Sequence, residues 1–228
     1  MMTNETILKV LELTDKENKN FDLEKARQIL KEQILKADSK ENYKLAMLVK
    51  KIIDTKDLRE TRPSLAKVQT RDNKQFICDG YVAVQWKTHE EALDTLPQNT
   101  ENTLPLEQIL FTGTEYELTD NDKTIIYNIK KVKDFIKAGK SADDKSKTNI
   151  VALFGRYFDL NVIENVIKIV LSYNENFKTT QKDDNVYTPI QMENSKIKAL
   201  ILPIRVADTE EREKINNQTQ RICDEIRG

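Results

Sequence analysis

The chain has 228 residues, enough for one sizeable domain with extensions or for two small ones. Hydrophobic residues make up 38% and charged residues 33%, which excludes a wholly disordered chain. With 37 basic against 38 acidic side chains the net charge is −1, so any attraction to nucleic acid or an anionic membrane has to come from a local patch.

The two cysteines, Cys78 and Cys223, are too sparse for an oxidised secreted scaffold. The first twenty residues lack a basic start followed by an apolar core, and no window approaches the ~18 apolar residues of a membrane helix. These features lead us to expect a cytoplasmic protein with no membrane association.

In chain order, residues 1–40 read as charged helices. Ile7, Leu8 and Leu11, then Leu23, Ala26, Ile29, Leu30 and Ile34, recur at three- and four-residue spacing, with Asp22 placed to cap the second helix. A third helix is predicted from about Ser39 to Asp54, with Tyr43, Met47, Leu48, Val49, Ile52 and Ile53 along its apolar side. Pro63 cannot continue a helix, so the following SLAKVQT reads as a strand. RDNK is a turn by composition. QFIC and YVAVQW are β-rich runs around Asp79-Gly80, a pair that supplies the positive backbone angles of a tight bend.

From His89 to about Glu107 the polar sequence reads as a solvent-facing loop with one helical turn. TEYELT is a short strand, and a helix is expected from about Ile126 to Ala138 with Gly139 as its cap. KSADDKSKTN is a second polar loop. IVALFGRYF reads as a strand leading into the helix DLNVIENVIKIVL, capped by Asp159 or Asn161, after which FKTTQ, VYTPIQME and KALILPIRV return to β. The charged segment after Val206 is expected to form a peripheral helix. This order predicts the α+β class, an antiparallel sheet layered with helices.

Chemistry-bearing patterns are scarce. The single histidine, His89, lies in a charged loop with no nearby cysteine or ordered carboxylate pair to complete a metal site, and no phosphate-cradling, dinucleotide, nucleophile-elbow or Cys-x-x-Cys pattern occurs. Glu90-Glu91, Asp143-Asp144, Asp183-Asp184 and Glu210-Glu211 lie in predicted loops or the tail, where carboxylates are solvated. The expectation is a protein that binds rather than catalyses, with no metal and no cofactor. A metal-dependent nuclease built from scattered carboxylates ranks third among the readings.

The most functional-looking electrostatic feature is Lys130, Lys131, Lys133, Lys137 and Lys140, in and just after the helix Ile126 to Ala138. Lys130, Lys133 and Lys137 share a face, while Ile129, Val132 and Ile136 point inward. Such a row can meet phosphates without reading bases. The only aromatics nearby are Tyr127 and Phe135.

Two separated segments together resemble one domain of the bacterial sliding clamp, the DNA polymerase III beta-subunit family. In the first, ENYKLAMLVKKIID leads through Thr61-Arg62-Pro63-Ser64-Leu65 and Val68 to Cys78-Asp79-Gly80-Tyr81. In the second, Phe154-Gly-Arg-Tyr157 precedes a helix, and Thr188-Pro189-Ile190 and Ala199-Leu-Ile-Leu-Pro-Ile-Arg-Val206 follow. The resemblance implies a clamp-like module at 41–206, built of two helix-plus-strands repeats, between a helical extension at 1–40 and a charged tail at 207–228. It implies a non-enzymatic accessory protein of DNA replication or recombination, of a kind that suits a bacteriophage or mobile element. Candidate partners are double-stranded DNA, a polymerase or another host or phage protein, and further copies of the chain. Lys44, Lys50 and Lys51 on the helix of the first segment join the lysines above as candidate nucleic-acid contacts. The alternative is a protein-interaction module that uses the same scaffold without encircling DNA.

Overall fold

The computed structural model describes residues 3–101, 103, 110–138 and 149–228. It opens with α1 (Asn4–Thr14), α2 (Leu23–Asp38) and α3 (Lys40–Ile53). Their starts are dictated locally. Thr3, Asp22 and Ser39 each accept a backbone N–H in the first turn, and Ser39 both ends α2 and caps α3. A short α4 (Lys56–Thr61), absent from the sequence reading, is capped by Thr55 and stops before Arg62-Pro63.

Strand β1 (Val68–Arg71) begins later than expected. The Leu65 N–H turns back onto the Arg62 carbonyl at 2.9 Å, and the Gln69 side chain donates to the Ser64 and Lys67 carbonyls, so residues 63–66 are a turn and not strand. β2 (Lys74–Cys78) follows through Asp72 (φ 49°) and Asn73 (φ 60°), the paired left-handed residues of a two-residue hairpin. After Gly80 (φ 99°) comes β3 (Val82–Trp86), every residue of which is buried.

The segment from His89 is not a solvent-facing loop over residues 89–96, while residues 102 and 104–107 lie outside the described residues. A 3-10 helix, Glu91–Thr95, buries Ala92, Leu93 and Thr95, and Leu96 follows them inward. The polar composition concealed these few apolar positions, which dock on α2 and α3. The two-residue strand β4 (Gln98–Asn99) then pairs parallel with β1.

TEYELT supplies only β5 (Thr114–Glu115). The expected helix from Ile126 is two helices, α5 (Asp120–Tyr127) and α6 (Ile129–Ala138). Its start moves back because Thr119 and Asp122 cap each other reciprocally. The proposed cap Gly139 and the loop KSADDKSK lie outside the described residues. IVALFGRYF is not one strand but a hairpin, β6 (Ile150–Leu153) and β7 (Arg156–Asp159), folded at Phe154 (φ 54°) and Gly155 (φ 66°). A phenylalanine at positive φ is uncommon, which is why the turn was hidden. Next come α7 (Leu160–Leu171), capped by Asp159, then β8 (Lys178–Gln181), β9 (Ile190–Glu193), β10 (Ile197–Ile201) and α8 (Thr209–Arg227).

The chain divides into two compact units, Met1–Ile77 with Thr88–Leu104, and Cys78–Lys87 with Pro105–Gly228. The first unit gathers α1 to α4, β1, β4 and most of β2 around Leu13, Ala26, Leu45, Val49, Ile53 and Leu58. In the second unit the strand order is β3-β10-β9-β8-β5, antiparallel throughout, with Val84 opposite Ala199 in the β3–β10 pair. α7 lies on β3 and β10 and buries Leu160, Ile163, Val166, Ile167, Ile169 and Val170. Trp86 reaches past the sheet to donate its Nε1–H to the Tyr173 hydroxyl at 2.6 Å. The tail helix α8 is not peripheral. It packs on β6, α5 and α6, burying Ile215, Thr219, Ile222 and Cys223, and the Thr219 hydroxyl accepts the Ala152 N–H at 3.0 Å. The protein is α+β with antiparallel pairing dominant, and among the described residues no helix is long and apolar enough to cross a membrane.

Candidate nucleic-acid interface

On α3 the apolar side, Leu45, Ala46, Val49, Ile52 and Ile53, is buried in the first unit. The opposite side carries Lys44 and Lys51, both exposed, together with exposed Lys40, which the sequence reading missed. At about 100° per residue these three fall within ~40° of one line along the helix, over a rise of ~16 Å. Glu41, the only carboxylate in α3, lies about 100° round from Lys40 and leaves the row uninterrupted. Lys40 could have been found from its four-residue spacing to Lys44. Lys50 points elsewhere, held by Glu32 of α2 at 2.6 Å.

The lysines of α6 are placed differently. Ile129, Val132 and Ile136 are buried, as their spacing predicted, and Lys130, Lys131 and Lys137 are exposed. Lys133, the middle of the expected row, is turned onto α7, where the buried carboxylate of Glu164 takes both Lys133 and Lys168. Burial pushes the Glu164 carboxyl up, but the two lysine hydrogen bonds outweigh it and hold the group below its ordinary value. α6 therefore covers α7, whose one cation, Lys168, is committed. Lys140 lies outside the described residues. The α3 lysines belong to the first unit and the α6 lysines to the second.

Several other polar groups are tied into structure. His89 places Nε2 3.0 Å from Asp94, and Asp183 accepts the Thr188 hydroxyl at 2.9 Å. Glu193, on β9, draws in Lys87 at 2.7 Å, Lys198 at 3.5 Å and Lys178 at 4.0 Å, beside a cleft of about 450 Å³. A larger cleft of about 530 Å³ lies in the first unit, where Lys50–Glu32 and Arg59–Asp54 neutralise one another. Among the described residues no group of three or more His, Cys, Asp or Glu is arranged to hold a metal ion.

No family model matches the chain, and neither the curated proteins nor the solved structures yield a match.

Proposed function

We propose that the protein is a non-enzymatic, sliding-clamp-like accessory protein of DNA replication or recombination, which touches the duplex backbone through α3. A helical stretch followed by three strands occurs twice, as α3 with the short α4 and then β1-β2-β3, and as α7-β8-β9-β10, and the last strands of the two sets, β3 and β10, are antiparallel partners. That order supports the clamp-like reading. The observation that carries the nucleic-acid half is the exposed, acid-free row Lys40, Lys44 and Lys51. Three cations along ~16 Å suit successive phosphates and read no sequence. Because α6 lies over α7, the second helix of the pair is withdrawn from such contact. The protein thus binds DNA along one helix and does not need to encircle it.

The test is duplex binding by fluorescence anisotropy across a salt series. Reversal of all three lysines, Lys40→Glu, Lys44→Glu and Lys51→Glu, is expected to weaken binding at least about tenfold and to reduce the salt slope by roughly 3. Lys9→Glu on α1 serves as a surface control. Duplex binding that is absent at low salt, or unchanged in the triple variant, defeats the proposal.

A second reading, a protein-interaction module, is favoured by α1. Leu8 is 67% exposed and Leu11 59%, on the side of the helix away from buried Leu13. If this face docks a polymerase-type partner, Leu8→Glu with Leu11→Glu abolishes capture of the purified partner while the thermal midpoint of the protein is kept.

A further inference from the structure

The earlier start of α5 gathers a group of side chains that the sequence left apart. With the helix beginning at Asp120, Lys123 stands one turn before Tyr127, and Lys130 and Lys131 stand three and four residues beyond it. At the joint Asn128 leaves the helical conformation (φ −120°, ψ 25°), but its N–H still donates to the Thr124 carbonyl at 3.1 Å and its carbonyl still accepts the Val132 N–H at 3.0 Å. Spacings of four, three and four residues, together with the exposure of all four side chains, set the three lysines and Tyr127 on the outer side of the two helices. The opposite face, Ile125, Ile126, Ile129, Val132 and Ile136, is buried, which fixes the lysine face outward.

Tyr127 is 61% exposed, and among the described residues no ring stacks on it and no cation sits over it. Lys123, Lys130 and Lys131 are exposed and make no ion pair with a described carboxylate. Lys137 extends the face, and Asp120 and Asp134 are its acidic members, so cations outnumber anions four to two. An exposed aromatic plate with cations on the same outer side matches a nucleobase with its flanking phosphates. A duplex keeps its base faces stacked and cannot use the plate. The row on α3 makes the contrast, since the tyrosine of that helix, Tyr43, is already covered by Lys36 at 5.7 Å.

We propose that the α5–α6 face is a binding site for single-stranded nucleic acid, in which a base stacks on Tyr127 and the adjoining phosphates meet Lys123, Lys130 and Lys131. The site stands independently of the duplex contact on α3, because it lies in the other unit and uses a different chemistry.

The experiment uses the full chain with fluorescein-labelled oligo-dT and oligo-rU, and a duplex of the same length, at low salt. Tyr127→Ala is expected to weaken single-strand binding about tenfold, within the range for loss of one stacked base, while Tyr127→Phe retains it. Duplex binding stays unchanged in both variants, which separates this site from α3. The tighter of the two oligomers identifies the preferred sugar. Trp86, the only tryptophan, is buried, so Tyr127→Trp adds an exposed reporter whose fluorescence is quenched when a base stacks on it. Single-strand binding that is indifferent to Tyr127→Ala with both oligomers, or fluorescence of the Tyr127→Trp variant that stays unquenched at saturation, overturns the proposal.

Discussion

Glu164, 8% exposed on α7, accepts hydrogen bonds from Lys133 of α6 and from Lys168 one turn further along α7. This buried carboxylate latches α6 over α7, and it decides which lysines are free to meet a ligand. Replacing it with Ala removes the acceptor for two partly exposed ammonium groups, which can rehydrate in part. We expect a loss of about 1–2 kcal/mol in urea denaturation, with the binding activity of Lys130 and Lys131 impaired less than stability. The sign of the pH effect follows from a folded value lowered beneath the ordinary 4.5. The stabilisation is present above the unfolded value and is lost as pH falls through the folded one. In Glu164→Gln that acid-side loss is expected to shrink, as read by the midpoint of acid unfolding.

Asp122 ties the capped start of α5 to the β6–β7 turn. Its carboxylate accepts the Phe154 N–H at 2.7 Å, the Thr119 N–H at 2.9 Å and the Thr119 hydroxyl at 2.7 Å. Phe154 is fully buried at positive φ, so the hydrogen bond holds a conformation the residue disfavours. Asp122→Ala leaves a buried N–H without an acceptor, and is expected to cost about 2–4 kcal/mol, with Asp122→Asn between it and the parent chain in chemical denaturation.

Tyr116 provides a high-pH probe of the same corner. Burial, then the charge of Asp122 and the 3.2 Å hydrogen bond to it, push the phenol from 10.0 up to about 12. A raised folded value means that its stabilisation is complete below pH 10 and is lost as pH rises toward 12. Tyr116 is expected to ionise late in a phenolate absorbance titration. Tyr116→Phe removes that late phase.

Arg156 is 3% exposed and organises the connection between β8 and β9. Its guanidinium donates to the carbonyls of Phe154 at 2.9 Å, Asp183 at 2.9 Å, Thr188 at 3.0 Å and Asn185 at 3.2 Å. A lysine cannot reproduce this planar fork. Arg156→Lys is expected to destabilise the fold by about 2–3 kcal/mol and to accelerate tryptic cleavage after Lys182, measured by limited proteolysis.

Local signals account for what could be read beforehand. Asp22 and Asp159 act as caps, the apolar side of α6 is Ile129, Val132 and Ile136, and RDNK is a two-residue turn, because each depends on neighbours within one helical turn or hairpin. The errors fall where distant partners intervene. Leu93 and Leu96 sit in a polar segment and are buried, the 3-10 helix that carries Leu93 docking on α2 and α3. The Phe154-Gly155 turn needs Asp122, 32 residues away.

The candidate sites divide in the same way. From the sequence alone one could place lysines on the outer sides of α3 and α6, since spacing and apolar periodicity determine which side a helix buries. Tertiary structure decided which of them remain available. Lys50 and Lys133 are drawn to carboxylates on neighbouring helices, Glu32 and Glu164, because a carboxylate shielded from water gains from an ammonium group brought across the helix packing. Lys40 and Lys123 join the exposed sets because Ser39 and the Thr119–Asp122 pair fix where the helices start. That is how binding in place of catalysis, at first an expectation drawn from missing motifs, becomes a proposal about two particular helix faces.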